Sequence, residues 1–216
     1  MLLRSRFSRI VRKAIDPVLL ARGFARRGQT YKRPLDRIWW VFDVERSRWN
    51  TADECRFSIG GGILVPEVNN VIDFHLPPLM PEKADTGDSI IHYRPPTELE
   101  RSWVITSADD ADLVDNQIVE QIKGYIETKM MPFYEQFHGL NDVINFILSL
   151  KDDIQELPRG RVHPNELFIP LYLAALYWLT GDRTQACAYL EDAFETLQVE
   201  WWQNHLLRIR ERLGCE

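Results

Sequence analysis

No apolar run in this chain approaches the ~18 residues that a membrane-crossing helix needs. Cysteine is scarce: Cys55, Cys187 and Cys215 are the only three in 216 residues. Their odd number and wide spacing argue for a reducing compartment and against a disulfide framework, so a cytoplasmic protein is expected. Metal-binding patterns are missing too. There is no Cys-x-x-Cys, and the five histidines, His75, His92, His138, His163 and His205, include no pair at the i, i+4 spacing of a helical zinc site. No serine sits in the Gly-x-Ser-x-Gly turn of a nucleophile elbow. Gly60-Gly61-Gly62 lacks the following Gly-Lys-Ser/Thr and helix of a P-loop, because Ile63-Leu-Val-Pro66 continues an extended run. A bulge or a close backbone approach is the expected use of these glycines. Neither a cofactor nor a metal is expected.

Acid is nearly absent from the first 33 residues. They hold ten arginines and lysines against Asp16 alone, +9, which leaves −15 for the rest of a chain of net charge −6. An acidic body disfavours nucleic acid as a general partner, since binding phosphates requires surplus cations. The basic head keeps three readings. It is a helix whose apolar stripe packs on the rest of the protein, a surface for anionic membranes, or an Arg-rich transit peptide. The stripe of Leu3, Phe7, Ile10, Val11, Ala14, Ile15, Val18 and Leu19 runs straight into Gly23-Phe24, which favours packing. Pro17 should break the helix near Asp16.

What is present is two strand-like stretches. In the first, Ile38, Trp40, Phe42 and Val44 alternate with Trp39, Val41, Asp43 and Glu45. In the second, Phe57, Ile59, Ile63 and Val65 alternate around the glycine triplet, and Ser47–Glu54 is polar enough to join the two as a hairpin. Gln29–Arg33, Ser89–Tyr93 and Trp103–Thr106 read as shorter strands. Six prolines punctuate residues 66–102, which fits a long loop over the sheet. From Ser107 onward the spacing is helical, with Asp109, Asp110 and Asp112 at a favourable helix start. Residues 152–164 read as a polar linker before three more helices. The fold class is therefore α+β: an antiparallel sheet packed by an N-terminal amphipathic helix, then a C-terminal helical region. An α+β domain over 1–150 and a helical subdomain over 151–216 are expected.

Two resemblances arise at these residues. Gly23-Phe24, Gly28 with Thr30-Tyr31, the strand from Trp40 to Trp49, Phe57-Ser-Ile-Gly60, Trp103 and Met131-Pro-Phe-Tyr134 resemble the bacterial family called domain of unknown function 4304, over roughly residues 5–150. The resemblance implies an α+β fold and no functional residue. Tyr177-Trp-Leu-Thr-Gly-Asp-Arg-Thr-Gln-Ala186, with Leu190 and Ala193, looks like one tetratricopeptide unit, which implies a helical hairpin.

The candidate interaction residues are Trp39, Glu45, Arg48, Trp49, His75 and His92. Adjacent tryptophans cannot share one face, so one each of Trp39/Trp40 and Trp201/Trp202 should be partly exposed. Exposed tryptophan beside arginine is common at interfaces. His75 and His92 fall in the long loop region, where a site could assemble. The expected function is a non-catalytic protein-interaction module with an unknown protein partner, such as an immunity-like inhibitor of a bacterial toxin. The alternatives are nucleic-acid or membrane contact through the basic head, and an enzyme with a site under the 66–102 loop. No oligomeric state follows from the sequence.

Overall fold

The computed structural model describes residues 2–72, 78–93, 102–153, 162–163 and 166–215. Helix α1 spans Leu3–Ala14 and buries Leu3, Phe7, Ile10, Val11 and Ala14. The chain breaks at Ile15 and restarts as α2, Asp16–Leu20, with Pro17 in the first turn, where its missing N–H costs nothing. Gly23 at φ +82° closes this unit, and the Phe24 N–H donates to the Leu19 carbonyl.

The strands are β1 (Ala25–Arg27), β2 (Thr30–Leu35), β3 (Ile38–Arg46), β4 (Glu54–Leu64), β5 (Ile91–Tyr93), β6 (Ser102–Thr106) and β7 (Val162–His163). All pairings are antiparallel, in the order β1-β2-β3-β4-β5-β7. β6 pairs with the first half of β4, and β5 with its second half. Two expectations need correction here. The 66–102 segment does not begin as loop: Pro66–Val71 is helix α3, because proline at a first helical turn starts a helix rather than breaking it. The segment 152–164 is not all linker either, since Val162–His163 pairs with β5.

β3 and β4 pair without a slip from Trp39 opposite Leu64 to Arg46 opposite Phe57. The glycine triplet therefore carries no bulge. Its role is close approach: a methyl on Gly61 would collide with Tyr134 and Met130, and one on Gly62 with Ser89 and the Ile91 carbonyl.

The even-numbered residues of β3 face the main core. Trp40 stacks on Tyr134 at 5.3 Å, and its Nε1 donates to the Phe137 carbonyl at 2.9 Å. Helix α4 (Ala111–Tyr125) is capped by Asp110, whose side chain accepts from Leu113 N. A wider π turn, Ile126–Met130, carries the chain into the short helix α5 (Met131–Tyr134). Arginines of the basic head lock α1 to α4. Arg6, 2 % exposed, binds Asp115 through Nε and Nη2 at 3.1 and 2.7 Å, and Arg9 reaches the other Asp115 oxygen at 2.6 Å. A buried pair of this kind fixes geometry, because separating its members would strand a charge away from water.

Helices α6 (Leu140–Asp153), α7 (Ile169–Thr180), α8 (Arg183–Thr196) and α9 (Glu200–Leu213) complete the chain. Gly181 at φ +89° turns α7 into α8. Leu171, Leu173 and Leu176 of α7 lie in the same buried cluster as Trp40 and Ile63. Helix α9 docks on the end of α3: Arg212 donates to the Asn70 and Val71 carbonyls, and His205 Nε2 lies 2.6 Å from the Ile72 carbonyl. The cysteine expectation is also corrected, since Cys187 and Cys215 form a disulfide. They are 28 residues apart, and the packing of α9 on α8, invisible in linear spacing, brings them together. No helix among the described residues is long and apolar enough to cross a membrane.

Candidate functional site

The odd-numbered residues of β3 face the other side of the sheet, and this face changes character along the strand. At its start, Trp39 and Leu79 both pack on a small second cluster of Val41, Leu64 and Ala84. The segment 78–88 is therefore what covers Trp39, leaving it half-buried. Further along, the face turns polar. Asp43 is 6 % exposed, and Lys32, beside it on β2, is 7 % exposed.

Asp43 is held by the same covering segment. Its Oδ2 accepts from the Thr86 N–H at 2.6 Å. That turn is closed by reciprocal caps: Asp85 accepts from Gly87 N, and Asp88 accepts from Asp85 N, at 2.7 and 2.9 Å. The other Asp43 oxygen, Oδ1, is shielded from water and receives no hydrogen bond from a described residue. Lys32 does not pair with it. Its Nζ donates to the Pro81 carbonyl at 2.7 Å, and desolvation lowers the Lys32 pKa, opposed by the negative charge of Asp43.

Two clefts open between β2–β3 and the covering segment, with Thr30 in the wall of both. One, of about 270 Å³, is lined by Arg27, Lys32 and Lys83 with Glu82. The other, of about 450 Å³, is lined by Asp43, Glu45 and Asp85, with Gln29 and Arg46 at its side. A basic pocket and an acidic one thus lie side by side.

Past Arg46 the chain enters the β3–β4 hairpin. Trp49 at its tip is 78 % exposed, with the Arg48 guanidinium 5.0 Å over its ring. The tip is pinned from inside. The Asn50 side chain accepts from Arg56 N at 2.7 Å and donates to Arg56 O at 3.0 Å, standing in for a strand partner. Thr51 Oγ1 accepts from Asp53 N and Glu54 N at 3.2 and 3.1 Å. An aromatic presented on such a braced loop loses little freedom on binding.

Of the residues singled out in the sequence, Glu45, Arg48 and Trp49 gather at one end of β3. Trp39 lies at the other end, about 20 Å away at ~3.3 Å per residue. His92 is half-buried on β5, opposite Gly62 on the Trp39 face. His75 lies outside the described residues. Among the described residues no three of His, Cys, Asp and Glu converge to hold a metal ion. Sequence reading missed Lys32, Asp43 and Asp85. The available signal was Asp43 itself, a lone carboxylate inside an otherwise apolar run.

The family model described as Domain of unknown function (DUF4304) matches residues 15–136. That is more than half of the chain. The chain belongs to this family. The matched stretch holds both clefts and the whole β3–β4 hairpin, while α1 and the helices from α6 onward lie outside it. The family's description assigns no reaction. No curated protein and no solved structure matches the chain.

Proposed function

We propose that this protein is a protein-interaction module and that it binds its partner with the outer end of the β3–β4 hairpin. The observation that carries this reading is Trp49, a large aromatic held in water at the tip of a braced loop. Exposing a tryptophan there serves no packing purpose, and tryptophan and arginine are both enriched among binding hot spots. Glu45 and the acidic cleft lie at the base of the same hairpin, so one partner surface can touch both. An inhibitor of the immunity type, which blocks a toxin by occupying it, suits a module whose prominent feature is a docking surface.

The alternative through the basic head draws on fewer cations than the sequence suggests. Arg6 and Arg9 bind Asp115, Arg26 binds Asp16, and Arg33 lies over the Trp40 ring, which leaves Arg4, Arg12 and Lys13 as the exposed basic surface of α1.

The test is capture from lysate of the native host by wild-type protein and by Trp49→Ala and Arg48→Ala variants, each verified as folded. A partner retained by wild type and lost with Trp49→Ala is the expected result. A partner retained equally by all three places the interface elsewhere and overturns the hairpin reading.

A further inference from the structure

The buried carboxylate of Asp43 is incompletely used. One oxygen takes the Thr86 N–H, whereas Oδ1 is out of water with no hydrogen bond from a described residue. Leaving a carboxylate oxygen unpaired in such a place is costly unless something else supplies the donor. Lys32 on the neighbouring strand turns its ammonium to the Pro81 carbonyl and makes no hydrogen bond to Asp43. Across the strands, Asp43 stands between Thr30 on β2 and Gly60 on β4. With no side chain at Gly60, the nearest atom to a methyl there is 3.9 Å off, so the sheet itself does not crowd the site. The acidic cleft has Asp43, Glu45 and Asp85 in its lining, and among the described residues no cation opposes them from across it, since the Arg46 guanidinium lies over the Phe7 ring on the other face of the sheet.

We propose that this cleft receives an arginine side chain of the protein partner, its guanidinium bonded to Asp43 and flanked by Glu45 and Asp85. A planar guanidinium offers five donors in a fixed fork, which suits several carboxylate oxygens spread around one opening. A divalent cation would need those oxygens to converge on one point, and among the described residues they do not. The proposal rests on the reading of the hairpin end as a protein-binding surface, and it names what the partner inserts at the hairpin's base.

The test uses the full chain and a small probe, so it needs no partner and fails separately from the lysate experiment. N-acetyl-arginine methylamide is titrated at low salt and followed by amide chemical shifts, with N-acetyl-citrulline methylamide as the neutral isostere. Saturable shifts at Thr86, Gly87 and Gln29 are expected with the arginine probe, and at least tenfold weaker binding of the citrulline probe. Asp43→Asn keeps an acceptor for Thr86 N–H and should weaken the arginine probe at least tenfold. If that variant fails to fold, Glu45→Gln with Asp85→Asn at the rim is read instead and should weaken the probe at least threefold. Equal binding of the two probes, no saturable shift, or unchanged binding in the carboxylate variants overturns the proposal. Displacement of the probe by low-millimolar Ca²⁺ that produces its own saturable shifts at the same amides overturns it in favour of a metal site.

Discussion

The two faces of the sheet are built from alternate residues of the same strands and have opposite chemistry. On one, Trp40, Phe42, Val44, Ile59 and Ile63 are sealed under helices, and Trp40 Nε1 finds its partner in the Phe137 carbonyl. On the other, a small apolar cluster around Trp39 gives way within four residues to a buried lysine and a half-used aspartate. A face built for stability alone would continue the apolar pattern, since burying charged groups stabilises little and often costs. The first face is thus the scaffold. The second buries charged groups that a scaffold alone does not need.

The sharpest way to break that contrast is to truncate the neighbouring tryptophans. Trp40→Ala removes a fully enclosed ring and its hydrogen bond, and should cost about 3–5 kcal/mol in urea unfolding. Trp39→Ala opens only the half-buried edge of the Val41, Leu64 and Ala84 cluster and should cost about half as much. Equal losses would mean that the second face is as much a core as the first.

The glycine triplet divides the same way. Gly61→Ala and Gly62→Ala each force a methyl into occupied space and should cost about 1–3 kcal/mol. Gly60→Ala meets nothing closer than 3.9 Å and should change stability by less than about 0.5 kcal/mol. Thermal melts of the three variants read this directly, and a Gly60→Ala loss as large as the others would show that the acidic cleft is closed off at its floor.

How much of this was legible in the sequence depends on the range of the interaction. The apolar stripe of α1, the alternation in β3 and β4, and the Asp110 helix start are local patterns and stand out. β1 and β7, three and two residues long, carry too little pattern to see and exist because longer strands pair with them. Trp49 was visible as a tryptophan beside arginine in a polar hairpin loop. The cleft was not, because Asp43 meets Thr86 across 43 residues and Lys32 meets Pro81 across 49. Nothing in either neighbourhood announces the other. The Cys187–Cys215 bond fails in the same way, as a consequence of helix packing.

A milder probe of the second face is pH. Because burial lowers the Lys32 pKa below the ordinary 10.5, its charged form is disfavoured in the folded state. The penalty is fully present at low pH and is relieved as pH rises through the lowered value toward 10.5, so this group makes stability increase with pH. Replacing it by Lys32→Met removes the effect. The stability difference, variant minus wild type, should therefore shrink as pH is raised toward 10. Measurements should stop there, since Tyr31 and Tyr134, both raised above 10.0 by burial, begin to cost stability at higher pH. A difference that is flat across this window would mean that Lys32 does not titrate differently on folding, and the polar face would carry no such penalty.

The smallest expected effect belongs to Trp49. Its ring touches water over most of its surface, and the loop beneath it is held by Asn50 and Thr51 rather than by the tryptophan. Trp49→Ala should therefore shift the unfolding free energy by less than about 0.5 kcal/mol, against several for Trp40→Ala. The contrast matters more than either number. Two tryptophans from one hairpin, one indispensable to the fold and one irrelevant to it, would separate scaffold from binding surface by experiment. A loss above ~1 kcal/mol at Trp49 would instead assign it a packing role, and the docking surface would have to be sought in the clefts alone.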